Sequence, residues 1–202
     1  MRLIHLFFYC ILLLSCQTAA WAQEGAPIQR NFPVPVTLSV FSQAISLPNF
    51  KGFFTDPQLG IRLGTELNYR KKQHSQVFQT INLAYYSHKS LHRGFYLSSE
   101  VGYRKHFGSF FLDATIGGGY LHLISTVPVY KATANGDFVK ASAHFHKFMP
   151  TLGVGTGYRI TNATSLFARY EVFGEMPIQQ SVPILPHKAL HVGMRIHLPT
   201  KN

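Results

Sequence analysis

The chain carries eleven histidines, and their spacing from serines and carboxylates limits the chemistry it can support. The densest group is His144-Phe145-His146 together with His122. Side chains of an extended segment alternate between faces, so His144 and His146 share one. Completed by His122 or Asp137, they could bind a divalent transition metal. No cysteine assists and no spaced histidine pair recurs. The expectation is therefore histidines exposed in a loop or at an interface, with no metal and no cofactor.

Serine and histidine also stand close together at Ser87-His88, at Ser90 and His92, and at Ser142 and His144. A serine nucleophile needs a base within hydrogen-bond reach and a third group to orient that base. No acidic orienter is evident beside these pairs, so no catalytic residue is assigned. Gly153-Val154-Gly155-Thr156-Gly157 has a phosphate-loop look, but neither a helix nor a Lys-Ser/Thr pair follows it. With Gly117 and Gly119 on the preceding strand, these glycines read as a thin wall that leaves room for large side chains.

The elements that position these residues are strands. Period-two alternation of apolar and polar residues recurs after residue 30, where helical spacing is nearly absent. Eight strands are expected, over 35–46, 59–70, 75–87, 93–105, 109–124, 148–159, 164–174 and 188–198. On the second, Ile61, Leu63, Leu67 and Tyr69 share one face, and Arg62, Gly64, Glu66, Asn68 and Arg70 the other. The last sets Leu190, Val192, Met194, Ile196 and Leu198 against His191, Gly193, Arg195 and His197.

Connections alternate in length. Those near Lys71–His74, His106–Ser109 and Ile160–Ala163 are short and polar. Leu47–Pro57, Thr126–Lys147 and Glu175–His187 are longer, while Ser87–His92 is short. In an up-and-down arrangement every second connection falls at the same end, so short turns gather at one end and most long loops at the other.

The start of the chain reads as a secretory leader, residues 1–22, with an apolar stretch from Leu3 to Ser15 and cleavage after Ala22. Both cysteines, Cys10 and Cys16, lie inside it, so disulfides are excluded from the rest. Leu13-Leu14-Ser15-Cys16 leaves lipidation of Cys16 open against an inert leader cysteine. Residues 23–34 form an N-terminal extension, 35–198 the β domain and 199–202 a tail. The whole chain has 19 Lys and Arg against 8 Asp and Glu, a formal charge of +11. For an exported chain, lipid headgroups are a better match to this charge than nucleic acid, for which no motif is present.

Lysines cluster in turns and loops, whereas arginines enter the strands, as suits the residue better adapted to buried, hydrogen-bonded pairing. Arg62, Glu66, Arg70, Glu100, Arg104, Asp113, Arg169, Glu171 and Arg195 all fall on polar faces and are expected to form one interior charge network. Tyr69, Tyr103 and Tyr158 fall on apolar faces at the short-turn end, where an aromatic girdle would meet a membrane interface.

These features resemble the small bacterial outer-membrane β-barrels. The segment from His191 through Gly193 and Ile196 to Leu198 resembles their C-terminal assembly signal, although the chain continues to Asn202. The resemblance implies an all-β, eight-stranded antiparallel up-and-down transmembrane barrel with short periplasmic turns and longer external loops. It also implies assembly by the barrel-assembly machinery. Expected partners are outer-membrane lipid and lipopolysaccharide, and the chain is expected to be a monomer. The function expected is structural, adhesive or envelope-interacting, through the external loops. The alternatives are a narrow porin-like channel preferring anions, and a lipid-modifying enzyme.

Overall fold

The computed structural model describes residues 34–45, 58–87, 92–128, 130–132, 137–140, 142–176 and 184–197. The expected leader with Cys16, nearly all of the expected N-terminal extension, Leu198 and the expected C-terminal tail lie outside them.

Among the described residues ten strands follow in order: β1 Pro35–Ile45, β2 Gln58–Lys71, β3 Ser75–Ser87, β4 His92–Phe107, β5 Phe110–Ser125, β6 Tyr130–Ala132, β7 Phe138–Lys140, β8 His144–Arg159, β9 Thr164–Glu175 and β10 Leu185–His197. Eight of them close into an antiparallel barrel in the order β1-β10-β9-β8-β5-β4-β3-β2. The other two, β6 and β7, pair with each other within the β5–β8 connection. Every barrel neighbour is a chain neighbour once that ribbon is set aside, and β10 closes on β1 from Pro35↔His197 to Ile45↔His187.

Two strands start earlier than alternation alone predicts. β8 begins at His144 because Phe145 to Lys147 pair with Leu121 to Leu123, and His144 pairs with Ile124. β10 begins at Leu185 because Pro186 pairs with Gly174 and His187 with Phe173. A proline at an outward position near a strand end breaks the sequence pattern and leaves the pairing intact. The β4–β5 hairpin turns on Gly108, whose φ of 65° is a conformation that glycine adopts without steric cost.

The barrel is apolar outside and polar inside. Leu38, Val40, Ile61, Leu63, Leu83, Leu97, Val101, Ile116, Leu152, Val154 and Val192 are all at least half exposed. Arg62, Glu66, Glu100, Arg104, Arg169, Glu171 and Arg195 are buried in the interior. Water would impose the opposite arrangement, whereas lipid around a closed barrel imposes this one.

Eight strands leave a bore only wide enough for side chains to fill. Here the filling relies on cross-strand pairing with glycine. Phe41 faces Gly60, Phe78 faces Gly102, Tyr86 faces Gly94 and Phe111 faces Gly157. A Cβ on any of these glycines would collide with the ring opposite. Of the glycine wall expected from the sequence, Gly157 accommodates the Phe111 ring and Gly153 the guanidinium of Arg169, whereas Gly117 and Gly119 lie against the β4 backbone.

Candidate functional site

Two groups of charges occupy the interior. Toward the short-turn end, Arg104 donates Nη1 to Glu66 Oε2 at 2.9 Å and Nη2 to Glu66 Oε1 at 3.0 Å. Arg195 donates Nε to the same carboxylate at 2.9 Å. Arg104 also reaches Asp113 at 2.9 Å. The two guanidiniums lie against aromatic rings. Arg104 is 4.2 Å from the Phe78 centroid and 5.0 Å from that of Phe111, and Arg195 is 5.2 Å from Phe111. Such stacking suits arginine, whose planar cation is weakly hydrated.

At mid-barrel, Arg62 donates to Glu171 at 2.6 Å and lies 3.5 Å from Glu100. Arg169 bonds Glu100, reaches Glu171 at 3.2 Å and donates to Thr115 Oγ1 at 2.6 Å. Each group sets two arginines against two carboxylates. Buried charge is tolerated when it is paired in this way.

Beyond them, toward the loop end, the interior becomes apolar. Phe41, Ala84, Tyr86, Tyr96, Leu121, Leu123, Met149, Phe173 and Ala189 form one buried cluster. His187 stacks on Phe173 with 4.8 Å between centroids and an angle of 5°, and its Nε2 lies 2.9 Å from Glu175 Oε1. Between the charge groups there remains a cavity of about 30 Å³, bordered by Arg62, Glu66, Arg104 and Arg169 among others. That is room for about two waters.

Eight of the nine expected network residues thus converge, and Arg70 does not. A bulge between Asn68 and Arg70 leaves Tyr69 unpaired and sets Arg70 opposite the outward-facing Val77, so Arg70 is exposed. One extra residue in a strand shifts every later side chain to the other face. Periodicity within one strand gives no sign of it.

His191, expected on the polar face of the last strand but not in the charge network, joins the interior charges. It is buried against Phe41, with ring centroids 4.7 Å apart, and its Nε2 lies 3.7 Å from Glu171. As part of the expected assembly segment, His191 and Gly193 face inward, while Ile196 faces out. Lys188, at the start of the last expected strand, is buried in β10 at 1% exposure. The apolar plug was missed because inward Phe and Tyr residues on polar faces look like exceptions when each strand is viewed alone.

Tyr69, Tyr103 and Tyr158 all point outward and are 60%, 51% and 56% exposed. Phe107 and Phe110 join them at the same end, and Phe95, Tyr120 and Phe148 are exposed toward the other. Between these two sets the outer surface is mostly Leu, Ile and Val.

On the outer face near the loops, His122 Nδ1 lies 3.3 Å from His146 Nδ1, and His122 Nε2 lies 3.3 Å from His144 Nδ1. Ser142 meets His144 through the histidine's backbone N–H, at 3.2 Å, and not through its imidazole. Asp137 precedes β7, and His88 and Ser90 lie outside the described residues.

No family model and no curated protein matches this sequence. Among solved structures, Neisserial surface protein A superposes with a TM-score of 0.57 at 13% identity, over 87% of this chain and 100% of that one. The outer membrane enzyme PagL gives 0.48 at 13% identity, over 81% and 99%. Ail, the attachment invasion locus protein of Yersinia pestis, gives 0.47 at 12%, over 81% and 96%. Similarity at such identities is one of fold. The chain has the closed eight-stranded antiparallel fold of outer-membrane β-barrel proteins.

Proposed function

We propose that the protein is an integral outer-membrane barrel with a filled, non-conducting lumen, serving the cell envelope in a structural or adhesive role through its external loops. The observation that carries this reading is the interior itself: two balanced charge groups beneath an apolar plug, with a cavity of only about 30 Å³ among the charges. A pore selective for anions would need uncompensated positive charge along a wet path. Here each interior arginine of the two groups has a carboxylate within 3.5 Å.

The outer surface supports a membrane location. Its apolar band is flanked by aromatic residues at both ends, the pattern of a barrel meeting two headgroup layers. Strands β4, β5 and β8 have 16 residues each. About 9–11 tilted residues cross the hydrocarbon, so these strands continue beyond it. The exposed Arg93 and Lys140 lie at the loop end, where lipopolysaccharide phosphates would attract them. Assembly by the barrel-assembly machinery, through the segment from His191 to Leu198, and a monomeric state belong to the same proposal.

Fractionation followed by planar-bilayer recording tests it. The expected result is a detergent-dependent, heat-modifiable membrane protein that gives no unitary conductance. Discrete current steps would replace this reading with a narrow channel. Recovery as a soluble periplasmic protein would overturn both.

A further inference from the structure

The bulge in β2 acts on the last residues of that strand. The extra residue at Tyr69 moves Arg70 from the inner face to the outer one, opposite Val77, which is itself opposite Tyr103 of β4. Arg70 therefore lies in the same outward row as a tyrosine of the aromatic girdle. Lys105 is on the same face of β4 as Tyr103, two residues nearer the turn and about 7 Å further along the strand. Its Nζ is 5.7 Å from the centroid of the Phe107 ring. Lys72 follows in the β2–β3 turn, and all three cationic side chains are exposed.

The exposed charges at this end are of one sign. Among the described residues Arg70, Lys71, Lys72, Lys105 and Arg159 are exposed there, and the turns 72–74, 108–109 and 160–163 contain no Asp or Glu. Glu66 and Asp113, the described carboxylates of this half, are inside the barrel and bonded to Arg104 and Arg195. Lys71 and Arg159 occupy inward positions round the mouth, opposite the buried Gln76 and Ser165. Arg70 and Lys105 stand on the outer rim beside Tyr69, Tyr103 and Phe107, with Lys72 in the turn next to them.

We propose that this sector of the rim, from β2 to β4, seats the headgroup of an anionic phospholipid of the periplasmic leaflet. The proposal rests on the outer-membrane reading above, which turns the short-turn end toward that leaflet. Aromatic residues mark the depth at which hydrocarbon gives way to headgroups, so cations level with Tyr103 and one pleat beyond it stand at phosphate depth. Charge complementarity selects the lipid. A zwitterionic headgroup brings an ammonium with its phosphate, and among the described residues the rim has no carboxylate to receive it. A headgroup with net negative charge needs none. Basic residues close to an anionic lipid surface each add an attraction that fades within a Debye length. A bulge at a strand end re-aims a side chain, and here it adds Arg70 to two cations that regular alternation would have left without it.

Electron spin resonance of chain-labelled lipids around the full chain, refolded in phosphatidylcholine vesicles, tests it. Labelled phosphatidylglycerol should be held at the barrel surface severalfold more than labelled phosphatidylcholine, and added salt should weaken the preference because the cations are exposed. The triple variant Arg70→Gln/Lys72→Gln/Lys105→Gln should lose the preference, and Arg93→Gln, at the loop end, should keep it. Heat-modifiable mobility reports that each variant has folded. Equal retention of the two lipids by the wild-type chain, or a preference that survives the triple variant, would overturn the proposal. So would inorganic phosphate that displaces the lipid more strongly than chloride at equal ionic strength, since the occupant would then be a free anion. A chain that inserts without any preference removes this inference and leaves the membrane reading standing, whereas a chain that does not insert overturns both.

Discussion

Arg104 of β4 and Glu66 of β2 form a two-bonded pair across the barrel interior, although β3 stands between their strands in the sheet. The same carboxylate takes Arg195 from β10, on the far side of β1. One side chain thus ties three strands that share no ladder. Glu66→Ala leaves two buried arginines short of a counter-charge. Removing one partner of a buried pair costs about 3–5 kcal/mol. Urea unfolding in lipid vesicles should show a loss of that size, and an unchanged midpoint would mean that the pair is hydrated and weak.

Arg70 supplies the contrast. It has the same residue type and an expected inward position on the same strand, but the bulge before it turns it outward. Arg70→Ala should change stability by no more than about 0.5 kcal/mol, the range of exposed substitutions. Arg62→Ala, which breaks contacts to Glu171 and Glu100, should be severely destabilising. Comparable losses in the two variants would place Arg70 in the network after all.

These two arginines show how far the sequence could be read. Strict alternation in β4 put Glu100, Gly102 and Arg104 on one face, and the barrel keeps them there because that strand is regular. In β2 the same reading fails after Asn68, since a bulge leaves the composition of a strand unaltered. Register was also beyond reach. Alternation gives the face of His122 and of His146 separately, but only the pairing of β5 with β8 brings them opposite each other. Exclusion of the long 126–147 stretch from the strands concealed this, because its last residues, from His144, extend β8.

The glycine-to-ring pairing makes a double-mutant prediction. A Cβ at Gly60 would meet only the Phe41 ring among its nearest atoms. Gly60→Ala should destabilise by about 1–3 kcal/mol through overpacking, and Phe41→Ala by about 3–5 kcal/mol through the cavity it leaves. Combined, they should cost less than their sum, with a coupling of about 0.5–3 kcal/mol. Strict additivity would show that the ring and the glycine do not share space.

Ile116 tests which solvent the outer surface meets. It is 66% exposed, lies midway along β5 and pairs with Val101. Ile116→Arg should cost about 2–4 kcal/mol in a bilayer if the position lies near its centre. On a water-facing sheet the same change would be nearly neutral. Unfolding in vesicles distinguishes the two, and a cost near zero would exclude Ile116 from the hydrocarbon.

The interior contacts have a consequence for the order of assembly. Glu66 needs Arg195 from β10, and Arg62 of β2 needs Glu171 from β9, so neither group is complete until the last strand has met the first. A half-built sheet would hold these charges apart and in contact with water. Closure is then the step that completes both groups, and the β1–β10 seam acts as a latch: Arg104–Asp113 and Arg169–Glu171 can pair earlier, but the Glu66–Arg195 and Arg62–Glu171 contacts are won only when it shuts in register.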